Sequence, residues 1–376
     1  MTITTSSLPD GTVSVAYTAT LQASGEVQPV SWSITAGTLP SGLALDSSTG
    51  VISGTPATAG KSTFAVTVTD SSTPTARTAS HQLSITINAS GANDSVLSGH
   101  YAFLLSGYDT NGNAVAVAGS FQADASGNIS NGIEDLNNAA SGPATALTFT
   151  GTYSIGPDNT GMITITNSSN SVYTMAVAMG SVSGGIASKG SALEFDSSGF
   201  NMSGTIELQQ SADFTVPSVT GQYVFGLAGS DSAGARTGIV GEFFSNASGG
   251  ITKGTFDVND SGTITAAASI GKTNTYTVNA STGRGTMTLA GLSPDQYAFY
   301  VVTANKFLAV SLNSSVGVLS GEMDKQSGGS FSASSLSGVL AIGITGASAS
   351  GGSHVLAGLE TFDGAGGFAY SLDDNE

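Results

Sequence analysis

At 376 residues with 39% hydrophobic content, the chain is too long for one ordinary domain and too apolar to stay disordered, so it folds into about two to four compact units. Charged residues are only 9%, and 26 acids against 9 bases leave a net charge of -17, which argues against nucleic acid or anionic lipid as partners, where Lys and Arg must neutralise phosphate. The absence of Cys excludes a disulfide framework, a thiolate zinc site and a cysteine nucleophile, and no apolar run approaches the roughly 20 residues of a membrane-spanning helix.

Met1 to Ser7 hold neither the basic nor the apolar region of a signal peptide, so the chain is either cytoplasmic or, the favoured reading, a mature piece of a longer secreted or cell-surface protein. From Leu8 to Asn88, short β-branched runs alternate with turn residues: Thr12 to Leu21, Val30 to Thr35, Val51 to Ser53, Ser62 to Thr69 and His81 to Ile87. That spacing predicts a β-sandwich. Pro40, Gly42, Gly50, Gly54 and Pro56 punctuate it, because Pro presets φ and Gly supplies the positive φ of tight turns. Trp32, the single Trp, falls on a strand and is expected to fill the sandwich.

Four strings follow one another here: Trp32-Ser33-Ile34, then Gly37-Thr38-Leu39-Pro40-Ser41-Gly42-Leu43, then Gly50-Val51-Ile52-Ser53-Gly54-Thr55-Pro56, then Phe64-Ala65-Val66-Thr67-Val68-Thr69-Asp70. Together they resemble the immunoglobulin-like, cadherin-like repeat domain of bacterial surface proteins. The resemblance covers residues 1–88 and implies a spacer or adhesion module of the kind found in tandem on extracellular proteins. Some similar modules bind calcium, and Asp46 and Asp70 are the acids at turn-like positions here. Calcium takes about six to eight oxygens, so two separated acids read better as turn formers.

After a polar joint, residues 89–96, a different unit begins and recurs. Leu97 to Phe103, Val219 to Phe225 and Leu336 to Ile342 align without a gap over roughly 40 residues, and four glycine columns fall into place. They are Gly99, Gly221 and Gly338; Gly107, Gly229 and Gly346; Gly119, Gly241 and Gly358; Gly127, Gly249 and Gly366. A further column is Asp124, Asn246 and Asp363, and another is acidic throughout: Asp135, Asp257 and Asp374. The Gly127 column ends a short polar loop and predicts a hairpin tip. Those of Gly107 and Gly119 lie inside strands, where Gly marks a bulge or the close approach of another backbone.

The first unit, 97–212, continues through Ala146 to Ser154, Gly161 to Thr166, Val172 to Met179, Ser191 to Phe195 and Met202 to Leu208, about eight short strands in all. The second, 216–325, repeats the plan with Gly285 to Leu289, Gln296 to Thr303 and Phe307 to Leu312. No stretch has helical periodicity, so each unit is a meander barrel or a two-sheet sandwich, with the barrel favoured. A linker, 326–335, leads to a partial third unit, 336–376, of about three strands. Truncation from a longer parent, or completion by a neighbouring molecule, would account for its open edge.

Catalytic constellations are hard to assemble. His81, His100 and His354 occupy unrelated positions, leaving no base for a Ser-His-acid triad. Glu134-Asp135 and Asp373-Asp374 are adjacent strand residues pointing to opposite faces, which cannot act as a glycosidase pair and read as solvated charge. Asp109-Thr110-Asn111-Gly112-Asn113 opens like a calcium loop, but Ala114 and Ser120 stand where Gly and Glu are required, so it reads as a hairpin turn. Lys189, Lys253, Lys272, Lys306 and Lys325 form no column that could supply isopeptide bonds. The repeated acids Asp135, Asp257 and Asp374 remain the candidates for a structural ion, calcium being the only cofactor in view.

Tyr297 and Phe299 share a strand face while Tyr300 points to the other, so one aromatic is exposed unless both faces are covered. Core packing is the favoured role of these rings, and an exposed one could stack a sugar. The sequence thus predicts an all-β, non-catalytic, extracellular structural or adhesive protein that associates with itself or with other surface proteins, strand exchange at its partial third unit being one route to a fibre. The alternative is a carbohydrate-binding appendage of a larger secreted protein.

Overall fold

The structure, a computed structural model, describes every residue except 14–15, 89–90, 92, 197–198, 272–273, 314–316, 328–331, 336, 348–352 and 376. Parts of both predicted joints and Lys272 therefore lie outside the described residues. The chain divides into Met1–Lys325 and Gln326–Glu376.

The N-terminal region is a small sandwich. Its strands are β1 (Thr2–Ile3), β2 (Gly11–Thr12), β3 (Tyr17–Thr20), β4 (Ala23–Ser24), β5 (Ser31–Gly37), β6 (Leu43–Leu45), β7 (Val51–Gly54), β8 (Gly60–Thr69) and β9 (Thr78–Asn88). One sheet runs β2-β9-β8-β5, the other β3-β7-β6, with β1-β4 as a separate ribbon. Alternation along β8 sends Phe64, Val66 and Val68 inward against Trp32, Ile52, Leu83 and Ile85, which form one buried cluster. Trp32 fills the sandwich, as its strand position predicts.

The next eight strands are β10 (Ser98–Asp109), β11 (Ala114–Asp124), β12 (Asn128–Asn138), β13 (Gly142–Ile155), β14 (Thr160–Asn167), β15 (Val172–Ser183), β16 (Ile186–Glu194) and β17 (Phe200–Leu208). Each pairs antiparallel with the next and β17 returns to β10, so the sheet closes on itself. This is a meander barrel, hereafter barrel 1. Closure removes every edge and sends alternate residues inward, where Tyr101, Phe103, Phe121 and Phe149 pack ring to ring.

Barrel 2 repeats the design with β18 (Gly221–Asp231), β19 (Arg236–Ser245), β20 (Gly250–Asp260), β21 (Thr263–Ser269), β22 (Asn274–Val278), β23 (Arg284–Thr288), β24 (Gln296–Thr303), β25 (Lys306–Ser311) and β26 (Gly317–Lys325). The pairing of β19 with β20 and of β18 with β26 closes a ring, and β21 with β22 replaces the single long strand β13. Tyr223, Phe225 and Phe243 reproduce the aromatic packing of Tyr101, Phe103 and Phe121. Even the phenol contacts recur: Tyr101 donates to the Ala187 carbonyl at 2.8 Å and Tyr223 to that of Ala304 at 2.7 Å.

Residues 326–376 contain β27 (Ser337–Ala347), β28 (Ser353–Asp363) and β29 (Phe368–Asn375), an antiparallel sheet in chain order. The register is that of the barrels: Phe103 faces Gly119, Phe225 faces Gly241 and Ile342 faces Gly358.

The hairpin after the second strand of each unit shows how sequence sets local shape. Asp124 accepts from the Ser126 and Asn128 N–H groups at 2.8 and 3.0 Å, Asn246 from Ser248 and Gly250, both at 3.0 Å, and Asp363 from Ala365 and Gly367 at 2.7 and 2.9 Å. The glycine inside each turn has φ of +96°, +83° and +99° at Gly127, Gly249 and Gly366, the left-handed region that Gly enters without Cβ strain.

Candidate functional site

The repeated acids occupy a bulge. Pairing of β12 with β13 slips between Glu134 and Leu136, so two residues of β13 oppose Asp135, and Asp135 Oδ1 accepts the Ala146 N–H at 2.9 Å. Barrel 2 slips at the same place, between Phe256 and Val258, where Asp257 Oδ1 accepts the Ala267 N–H at 2.6 Å. Ala146 and Ala267 have φ of 54° and 52°, and the carboxylate secures a backbone N–H that the slipped ladder leaves unpaired. Asp374 lies on β29, but its side chain falls outside the described residues.

In barrel 1 the same acid does more. Asp135 is fully buried and meets Arg284 of barrel 2 through paired bonds, Nε to Oδ2 at 2.7 Å and Nη2 to Oδ1 at 2.8 Å, while Tyr300 Oη donates to Oδ2 at 2.6 Å. Its oxygens are thus filled by protein donors rather than aimed at an ion, and among the described residues no group of three His, Asp or Glu could hold a metal. Burial alone would lower the Arg284 pKa, but the bonds to Asp135 outweigh it and keep the guanidinium charged.

Around this pair the two barrels meet in a dry seam. Ala102, Ala114, Ala116 and Ala118 on the outer face of β10 and β11 pack against Ala298, Tyr300, Val302, Leu308, Val310 and Val318 on the outer face of β24, β25 and β26. Small side chains on one side let the backbones approach, and the larger ones opposite fill the gap. Polar bonds rim the patch: Asn137 Nδ2 donates to the Ser311 carbonyl at 2.8 Å, Ser120 Oγ to that of Thr282 at 2.8 Å, and Gln209 Nε2 to that of Val301 at 2.6 Å. Lys306 joins Glu207 of barrel 1 at 2.8 Å and Glu322 of its own barrel at 3.0 Å.

These contacts correct one expectation. Glu134 and Asp135 are not solvated charge, since each is at most 1% exposed. On β24 both faces are covered, as the packing role of its aromatics requires: Tyr297 and Phe299 fill the barrel core and Tyr300 the seam. The sequence signal for the seam is the run Ala114-Val115-Ala116-Val117-Ala118, apolar on both faces as a strand covered on both sides must be.

Inside barrel 1, Glu134 accepts from Asn167 Nδ2 at 2.8 Å and from the Tyr173 hydroxyl. Burial pushes its pKa up, and the two hydrogen bonds recover only part of the loss. Phe256 occupies the matching position in barrel 2, so the fold does not require an acid there.

The remaining candidates are local. Gly119 and Gly241 face Phe103 and Phe225, where a Cβ would come within 2.4 and 2.6 Å of the ring, and at Gly107 and Gly229 a Cβ would meet a neighbouring carbonyl at 1.9 Å. Gly99, Gly221 and Gly338 begin their units with φ of +108°, +136° and +101°, and Gly346 and Gly358 pair with His354 and Ile342. Asp46 accepts from Ser48 and Thr49, which lowers its pKa to about 2. Asp70 is tied to Arg77 at 2.6 Å, and although burial raises its pKa, donors from Arg77 and Ser72 hold it well below the carboxylate range. Asp109 accepts from the Asn111 and Asn113 N–H groups, both at 2.9 Å, as a turn residue does. The predicted joint at 89–96 is only partly polar: Asp94–Val96 forms a 3-10 turn, with Val96 in the core of barrel 1.

Comparison with known proteins bears mainly on the N-terminal region. A search of curated proteins finds no match. Among solved structures, kievitone hydratase from Nectria haematococca is 9% identical over 62% of this chain and 91% of that chain, with a TM-score of 0.19. The protocadherin gammaB7 EC3-6 cis-dimer is 8% identical over 99% of this chain and 72% of that chain, with a TM-score of 0.20. Overlaps this loose carry no argument, and the barrels rest on their own strand pairings. The family described as "Putative Ig domain" matches residues 1–88, the same span that forms the sandwich around Trp32, and this segment is an immunoglobulin-like domain of that family.

Proposed function

We propose that the protein is a non-catalytic structural or adhesive component of an extracellular surface, built from an immunoglobulin-like head and serial β-units. The observation that carries this reading is the seam, in which Asp135, Arg284 and Tyr300 lock one closed barrel to the next. A shared apolar face with a buried ion pair makes a stiff joint, as a load-bearing or presenting scaffold needs. The polar surface, with 9% charged residues, suits the same role.

The sheet of residues 337–375 supports self-association. Phe368 takes the place of the core residues Ile129 and Ile251, yet is 60% exposed. We infer that strands from a neighbour complete this sheet, giving a fibre subunit. Light scattering and negative-stain microscopy of the full chain across a concentration series test the reading. Growth in mass with ordered polymers is expected, and a strictly monomeric chain at all concentrations would overturn it.

A second reading, a carbohydrate-binding appendage, draws on Phe362, Phe368 and Tyr370, the Phe368 ring lying 6.0 Å from that of Phe362 and 6.3 Å from that of Tyr370. Co-sedimentation with insoluble polysaccharides separates the two. Retention that Tyr370→Ala abolishes would favour sugar binding.

A further inference from the structure

The seam joins unlike faces: the outer side of the first three strands of barrel 1 receives the outer side of the last three of barrel 2. Because the barrels share one register, each also carries the face that the other uses. On barrel 2, Val240 opposes Gly226 as Ala118 opposes Leu104, and Asp257 and Asn259 follow at the positions of Asp135 and Asn137. This face is open. Val240 is 58% exposed, and a Cβ built on Gly226 or Gly238 would meet nothing within 4 Å.

Barrel 1 carries the reciprocal face on β15, β16 and β17. Following the pairings around both barrels, Leu193 falls at the position of Val310 and Phe195 at that of Leu312. Val310 is fully buried in the seam, and Leu312 packs against it. Leu193 and Phe195 are 45% and 63% exposed. Two halves of an established contact are thus present on one chain, both uncovered and each partly apolar: Arg236 and Thr255 stand at the places of Ala114 and Ile133 on one, Ser191 and Asn201 at those of Leu308 and Val318 on the other.

We propose that these halves bind each other between copies of the chain, the β18–β20 face of barrel 2 receiving the β15–β17 face of barrel 1 from a second copy. The contact is heterologous, so it repeats head to tail, into an open filament unless the rotation between copies closes a ring. It deepens the self-association reading above and is an alternative to strand exchange at residues 337–375 as its source. Thr160 and Ala178 pair with each other where barrel 2 pairs Arg284 with Tyr300. Asp257 therefore meets no cation across the copy-to-copy contact, which makes it weaker and more reversible than the internal seam.

Sedimentation velocity on the full chain tests this, with Val240→Lys blocking one face and Phe195→Lys the other. The unaltered chain gains mass with concentration, and each variant alone stays monomeric, because every contact needs one face of each kind. An equimolar mixture of the two variants forms a 1:1 complex that grows no further. Thr160→Arg with Ala178→Tyr, which supplies the missing partners of Asp257, tightens association by about 10-fold or more. Unchanged far-UV circular dichroism and melting show that the variants fold. If both single variants polymerise like the parent, the contact is elsewhere and only this proposal falls. A mixture that stays monomeric also overturns it, and a monomeric parent overturns the self-association reading with it.

Discussion

Glu134 is a carboxyl group that the fold holds at a cost. Its pKa is raised above that of the unfolded chain, chiefly by burial, so the folded state binds its proton more tightly. Stability from this group is greatest at low pH and falls as pH rises from the ordinary carboxyl range through the raised value. Asp70 and Asp46, whose pKa values are lowered, act in the opposite sense, adding stability that is lost as pH falls. Glu134→Gln isolates the first effect. Relative to the parent, the variant should gain stability as pH increases from about 4 to 8, measured by urea unfolding at a series of pH values. A difference that does not change with pH would mean that Glu134 is charged in the folded barrel.

Among the elements, the second strand of each barrel is the most tightly specified. Its inward Gly119 or Gly241 lies under an aromatic ring of the first strand, and its outward side in barrel 1 is alanine because the next barrel presses on it. A methyl group at Gly119 would come within 2.4 Å of the Phe103 ring, which the surrounding core leaves no room to move. Gly119→Ala should therefore destabilise barrel 1 by about 1–3 kcal/mol, read from the shift in its denaturation midpoint. Adding Phe103→Leu should recover part of that loss, since the clash is with the ring. At the bulge, Asp257 makes the bond to Ala267 that Asp135 makes to Ala146, so the repeated acid was legible as a feature internal to each unit. Its second task, receiving Arg284, was not, because the two residues are far apart in sequence and barrel 1 has Thr160 at the matching position.

Across the whole molecule, the seam couples two barrels that each have a closed core. Arg284→Ala strands a buried carboxylate, and Asp135→Ala a largely buried guanidinium, so each should cost about 3–5 kcal/mol in the stability of the barrel pair. The double variant should cost less than the sum of the singles, and a double-mutant cycle by calorimetry reads the difference. Simple additivity would show that the ion pair contributes nothing to the coupling. Asp257→Ala, at the matching but exposed position, should cost only about 1 kcal/mol, the value of one hydrogen bond to the bulge.

Alternation, turn chemistry and repetition, all local properties of the chain, were enough to establish an all-β protein with an immunoglobulin-like head followed by a recurring unit. The glycine and acid columns mark the same turns, ring contacts and bulges in both barrels because a partner on the same strand or the next one decides them. Whether each sheet closes depends on β17 reaching β10 across about 100 residues, and short-range pattern cannot express that. Which outer faces are covered is equally remote: Ala118 and Val240 belong to one column, yet Ala118 is pressed against another barrel and Val240 is 58% exposed. The sequence makes these faces alike, and only the tertiary packing decides which of them is buried, because burial depends on what another part of the chain brings to it.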